Sequence, residues 1–168
     1  MFLVETYNCI ISSEIFVEDC SAYVTDYTDW INETNKGTNY KFSPFTLPTN
    51  HSIELKFNSS TGTRIALGDT THLNNSGYLE WIYAWYIDTR NMYYRSSTNA
   101  ELSVNNFHSA ISGDRICRIE YDGTTLDVYI NGSFIRSFTT YDVLGLTRLI
   151  RLNSNTVQNI DYIKIKPL

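Results

Sequence analysis

Residues 115–138 read "RICRIEYDGTTLDVYINGSFIRSF", and two glycines divide them into three runs. Before Gly123, Cys117, Ile119 and Tyr121 alternate with Arg118 and Glu120. After it, Leu126, Val128 and Ile130 alternate with Asp127 and Tyr129. An apolar residue at every second position makes a strand with one dry face and one wet face, as in an antiparallel sheet. Asp122-Gly123 and Asn131-Gly132 fall between the runs, and such dipeptides take up the positive φ of tight hairpin turns at little steric cost. Residues 115–138 are therefore predicted to form a three-stranded meander.

The same period recurs outward from this stretch. "HSIELKFN" (51–58) alternates Ile53, Leu55 and Phe57 against Glu54 and Lys56, and "NIDYIKIKP" (159–167) sets Ile163 and Ile165 against Lys164 and Lys166. Further strands are expected at 63–67, 78–87, 91–96, 100–104, 147–152 and 158–166. About ten strands of that length imply two packed sheets. No segment combines a helical apolar period with caps, so helices should be few and short. The polar stretch 25–50, punctuated by Pro44 and Pro48, reads as a long connection wrapping the sandwich. Segments 68–77 and 105–114 read as loops, and residues 1–168 as a single domain.

Composition narrows the function. With 42% hydrophobic and 18% charged residues over 168 positions, the chain can bury a core without disulfides or metals. Thr, Ser, Asn and 13 tyrosines suit strands and turns. The net charge of -5 and the absence of any Lys/Arg run argue against nucleic acid as a partner and against anionic membrane surfaces. No stretch reaches the length of a membrane span, so no membrane insertion is expected. The start "MFLVETYNC" is broken by Glu5 and lacks a basic region, unlike a signal peptide. Cys9, Cys20 and Cys117 form no CxxC pair, which disfavours zinc. Buried free thiols are expected, with a Cys9–Cys20 bridge left open. Asn32, Asn50, Asn58, Asn74 and Asn131 each begin a glycosylation sequon, which carries no weight in a chain so rich in Asn, Ser and Thr.

The string "ICRIEYDGTTLDVYINGSFIRSF", followed by "RLIRLNSNTVQNIDYIKIKPL" (148–168), resembles the C-terminal half of laminin-G-like and concanavalin A-like domains. "IELKFNSSTGTRIALGD" (53–69) resembles their earlier strands, ending in an "I-x-L-G-D" element. The resemblance covers residues 50–168; residues 1–50 match loosely, through "EIFVEDCSAYVTDYTDW". It implies an all-β fold, a two-sheet antiparallel jelly-roll sandwich. That fold carries lectins, carbohydrate-binding and adhesion modules, glycanases and virion proteins, so it leaves function open. It also allows a structural calcium ion, because laminin-G-like domains can hold one with loop carboxylates. Asp69 matches the family's G-D element, and Asp114 in "SGDR" is a second candidate ligand. Without an Asp-x-Asp pair, carbonyls and water would have to complete the ion's shell, and a turn-capping Asp69 is the plainer reading. No other cofactor is expected.

Glycanases of this superfamily align Glu-x-Asp-x-x-Glu on one strand, and a retaining mechanism needs its carboxyls about 5–5.5 Å apart. The nearest match, "EYDGTTLD", has Glu120 and Asp122 but lacks the second Glu, and Gly123 ends the strand. His51, His72 and His108 have no Ser or Cys in a nucleophile motif. A non-catalytic module is expected.

The ring-rich stretch "GYLEWIYAWYIDTRNMYY" (77–94) bears on the ligand. Read as a regular strand, it places Leu79, Trp81, Tyr83 and Trp85 on one face, the expected core, opposite Glu80, Ile82, Ala84 and Tyr86. Tyr93 and Tyr94 point opposite ways on the next strand, so at least one faces outward. Exposed tyrosine among Asn and Arg suits stacking on a pyranose, and protein recognition uses the same residues. The candidate contact residues are Tyr93, Tyr94, Arg90, Asn91 and Arg95, joined by His72, Asn75 and Phe107 from the two loops. The expectation is a binding or adhesion module for carbohydrate or another host-surface ligand. The Asn/Ile/Tyr-rich composition suggests a low-GC genome and a viral, phage-type receptor-binding protein, on the virion surface or extracellular, with an oligomer open. The alternatives are a capsid-decoration or tail module bound to other virion proteins, a domain of a secreted cell-surface adhesin and, last, a glycan hydrolase.

Overall fold

Alternating apolar residues and hairpin turns leave these segments little choice but to pair. The computed structural model describes residues 23–25, 31–33, 37–43, 46–57, 64–73, 79–111, 115–142, 149–153 and 160–168. Among them run β1 (Tyr23–Thr25), β2 (Ile31–Glu33), β3 (Gly37–Phe42), β4 (His51–Phe57), β5 (Arg64–Leu73), β6 (Leu79–Tyr86) and β7 (Asn91–Arg95). Then follow β8 (Glu101–Val104), β9 (Arg115–Tyr121), β10 (Thr125–Ile130), β11 (Ser133–Thr139), β12 (Leu149–Asn153) and β13 (Ile160–Pro167). A six-stranded sheet has the order β1-β13-β4-β9-β10-β11 and a seven-stranded sheet the order β2-β3-β12-β5-β6-β7-β8. Every pairing is antiparallel. The architecture is the expected all-β jelly-roll sandwich, and the described residues contain no helix.

The meander at 115–138 forms as its turns require. Asn131 and Gly132 both have positive φ (50° and 79°), the I′ pattern. In the first turn only Gly123 does (97°), and Asp122 instead caps the turn, its carboxylate accepting the N–H groups of Thr124 at 2.9 Å and Thr125 at 2.6 Å. These bonds hold the Asp122 carboxyl below the usual range. Asp122, weighed as a catalytic acid, is a turn residue. Glu120 accepts from Arg118 at 2.7 Å, and across the strand pair Asp127 accepts from Ser137.

Two expectations are corrected. The stretch 25–50 is not a continuous connection: β2 and β3 lie in it and extend the seven-stranded sheet through β12. Its polar residues lack the apolar alternation that reveals a strand, and the pairing of β3 with β12 and of β2 with β3 supplies the order. Nor is 68–77 wholly loop, because β5 continues to Leu73 and carries Gly68, Asp69 and His72 within the strand. Asp69 is thus not in a turn.

The core fills the space between the sheets with Ile53, Leu55, Cys117, Ile119, Leu126, Val128, Ile163 and Ile165 from one and Ile65, Leu67, Tyr83, Trp85 and Met92 from the other. Each such side chain contributes about 1.5–3 kcal/mol when fully buried. Cys117 is a buried free thiol, as expected, and burial pushes its pKa far up. Cys9 and Cys20 lie outside the described residues.

Candidate functional site

Contacts between the sheets show which side chains of β6 and β7 point inward. The Tyr83 ring meets Tyr121 of the six-stranded sheet at 5.6 Å, and Tyr94 meets Phe138 at 5.5 Å. Tyr83, Trp85, Met92 and Tyr94 therefore face the core, and alternation puts Ala84, Tyr86, Asn91, Tyr93 and Arg95 on the outward face.

Trp81 breaks the expected pattern. Leu67 pairs with Tyr83 but Gly68 pairs with Trp81, so β6 carries an extra residue at this point. Such a bulge re-aims the side chains beside it. Trp81 leaves the inward face and packs edge-on against Tyr93 at 6.0 Å, with the Arg95 guanidinium over its ring at 4.8 Å. Trp85 stays in the core as expected; Trp81 does not.

The result is a continuous row on the outward face of the seven-stranded sheet. Arg64 lies over Tyr86 at 4.5 Å, Tyr86 meets Tyr93 at 4.9 Å, Tyr93 meets Trp81, and Arg95 closes the far end. Arg64, Trp81, Tyr86 and Tyr93 are each half-buried. Beneath the row, Ala66 and Ala84 pair across β5 and β6 and are buried. Asp88 stands beside Arg64 with 3.9 Å between their charged atoms. Three rings flanked by a guanidinium, a carboxylate and the Asn91 amide combine flat apolar faces with hydrogen-bonding groups, as a carbohydrate site requires.

The candidate contact residues divide. Tyr93 sits at the centre of the row. Arg95 belongs to it but is only 8% exposed, and its Nε–H and Nη1–H donate to the Trp81 and Asn99 carbonyls at 3.1 and 3.3 Å, so it shapes the face. Asn91 is half-buried beside the row and accepts the Asn106 N–H at 3.2 Å. Arg90, in the β6–β7 turn with φ 62°, has its carbonyl bonded to Phe107 N–H. Tyr94 and Phe107 point into the sandwich: the Phe107 ring packs on Trp85, His108 and Phe138 at 5.9, 4.6 and 5.2 Å. His72 lies on β5, while Asn75 and Asp114 fall outside the described residues. No group of three or more His, Cys, Asp and Glu gathers among the described residues. Sequence reading missed Arg64, Tyr86 and Trp81. Arg64 and Tyr86 could have been found from alternation along β5 and β6, which places both opposite the core residues Ile65 and Trp85.

No family model matches the chain, and no curated protein matches it by sequence. Solved structures do. Sheep galectin-11 in complex with glycerol is similar with a TM-score of 0.52 at 12% identity, over 75% of this chain and 95% of that one. A human galectin-16 variant is similar with a TM-score of 0.51 at 14% identity, over 73% and 91%. A β-fructofuranosidase from Schwanniomyces occidentalis, complexed with fructosyl-erythritol, gives 0.51 at 11% identity over 87% of this chain but 33% of the enzyme. At such identities the likeness is one of fold, and it agrees with the concanavalin A-like resemblance in the sequence.

Proposed function

We propose that the chain is a non-catalytic glycan-binding module whose ligand lies across the outward row of Tyr86, Tyr93 and Trp81. The observation that carries this reading is the row itself: three adjoining rings on two neighbouring strands, Tyr93 meeting Tyr86 at 4.9 Å and Trp81 at 6.0 Å, with charged groups at its margins. Each ring can stack on the apolar face of one pyranose, while Arg64, Asp88 and Asn91 meet hydroxyls. Composition supports a setting on a virion surface or outside a cell. An immobilised oligosaccharide array tests the reading: wild type should bind, Trp81→Ala should not, and neither should release reducing sugar. Binding that survives Trp81→Ala unchanged would refute it.

One observation favours a second reading, a structural virion module bound to other virion proteins. Phe134 stands 56% exposed on β11, an edge strand, next to the Tyr129 ring at 5.7 Å. Size-exclusion chromatography separates the two, since assembly through that edge should give an oligomer that Phe134→Ser dissolves.

A further inference from the structure

A residue that follows β11, an edge strand of the opposite sheet, reaches between the two strands that carry the outward row. In β6 and β7 the pairs Ala84–Tyr93 and Tyr83–Tyr94 set Ile82 opposite Arg95. A regular ladder would have those two main chains bond to each other. Instead, the Arg95 N–H donates to Thr140 Oγ1 at 3.0 Å, and that hydroxyl donates onward to the Ile82 carbonyl at 2.9 Å. The Arg95 carbonyl takes the Tyr141 N–H at 3.1 Å. Thr140 follows β11 directly, is fully buried (0% exposed), and stays anchored to its own sheet through a 2.8 Å bond from its N–H to the Thr124 carbonyl.

We infer that Thr140 is the positioning residue of the glycan face. Its hydroxyl is interposed between β6 and β7 at the point where β6 bulges, and the gap it holds open lets the β6 main chain swing so that Trp81 turns outward. Arg95 then bridges the opening, bonding the Trp81 carbonyl on one side and the Asn99 carbonyl on the other while covering the indole. The hydroxyl must accept from one strand and donate to the other at once; serine can do this and valine cannot. The functional consequence rests on the glycan reading, whereas the placement of Trp81 does not.

Thr140→Val tests both. Its loss of the hydroxyl leaves the Arg95 N–H and Ile82 carbonyl to pair directly, which straightens β6. The Trp81 indole N–H signal in a ¹⁵N NMR spectrum, assigned by its disappearance in Trp81→Phe, should move while that of Trp85 stays. Titration with cellohexaose, a chain of flat pyranose rings, should show at least a tenfold loss of affinity. Thr140→Ser should keep both the signal and the binding. An unmoved Trp81 signal in Thr140→Val, or a serine variant that behaves like the valine one, overturns the inference. Wild type that binds no sugar would sink the glycan reading alone, because the Trp81 signal still decides the wedge. Should Thr140→Val not fold, amide exchange in Thr140→Ser decides: a slow Arg95 N–H supports the bridge and a fast one refutes it.

Discussion

The indole N–H of Trp85 donates to Nε2 of His108 at 3.1 Å, with the two rings edge-on at 83°. An indole nitrogen can only donate, so Nε2 must carry a lone pair and the ring proton must sit on Nδ1, which donates to the Ser109 carbonyl at 2.7 Å. His108 is neutral in this arrangement. Protonation would set one N–H against another inside the protein.

Acid should therefore loosen the fold through this residue. Burial holds the folded His108 below its ordinary pKa of 6.5, outweighing the opposing effect of the Ser109 bond, and the charge of Arg90 adds a smaller push in the same downward direction. Between the folded and unfolded values the unfolded chain binds more protons, so stability is complete above 6.5 and falls as pH drops through that window. His108→Gln can keep both hydrogen bonds without titrating. Melting curves from neutral to acidic pH should show a steeper loss for wild type than for His108→Gln, and parallel curves would refute the assignment.

Tyr93 and Tyr94 are neighbours with opposite duties. Tyr93→Ala should reduce glycan affinity about tenfold to a hundredfold, if a stacked ring is worth the ~1–3 kcal/mol it is worth on nucleic bases, and leave the melting temperature nearly unchanged. Tyr94→Ala removes a ring packed on Phe138 and should destabilise by about 2–4 kcal/mol while folded protein still binds. A calorimetric melt and a binding titration on each variant check the pair.

The two hairpin glycines should differ in cost. Gly132→Ala meets open space, so only the strain of its left-handed backbone, about 1–2 kcal/mol, is expected. Gly123→Ala adds a methyl group 2.9 Å from Thr49 Cγ2 at a comparably unfavourable φ and should cost more. Urea midpoints, read at unchanged slope, give the order directly.

Cys117 should resist alkylation in the folded protein. It has 0% exposure and a thiol pushed well above its ordinary pKa, so almost no thiolate is available at neutral pH. Iodoacetamide should modify Cys117 in urea and leave it intact in buffer, with peptide mass spectrometry as the readout.

How much of this was legible in the sequence depended on whether a residue obeyed its own strand. Alternation between Cys117 and Val128, with Gly123 and Asn131-Gly132 between the runs, announced the meander, because those preferences are local. Placement of Trp85 in the core followed for the same reason. Trp81 obeys the same alternation on paper, yet it lies on the other face, since the bulge opposite Gly68 arises from pairing and from Thr140, far along the chain. Tyr94 was open on the same ground: one of two adjacent tyrosines had to face out, and only the neighbouring sheet decides which. β2 and β3 escaped notice because their residues carry no apolar period, and what orders them is pairing, of β3 with β12 and of β2 with β3.

Tyr83 has a counterpart to the Trp85 contact: the His51 Nδ1–H donates to the Pro48 carbonyl at 2.8 Å, leaving Nε2 to accept the Tyr83 hydroxyl at 3.2 Å. Two residues apart on β6, two buried donors thus plug into two imidazole sockets set in different parts of the chain. Oily side chains tolerate sliding, because one greasy neighbour substitutes for another. These two prongs do not: a shift of β6 by one side-chain repeat would carry both donors off their acceptors and strand them without water, at about 1–3 kcal/mol each. The interior of this sandwich is consequently keyed, and β6, the strand that presents Trp81, can seat in one position along its axis.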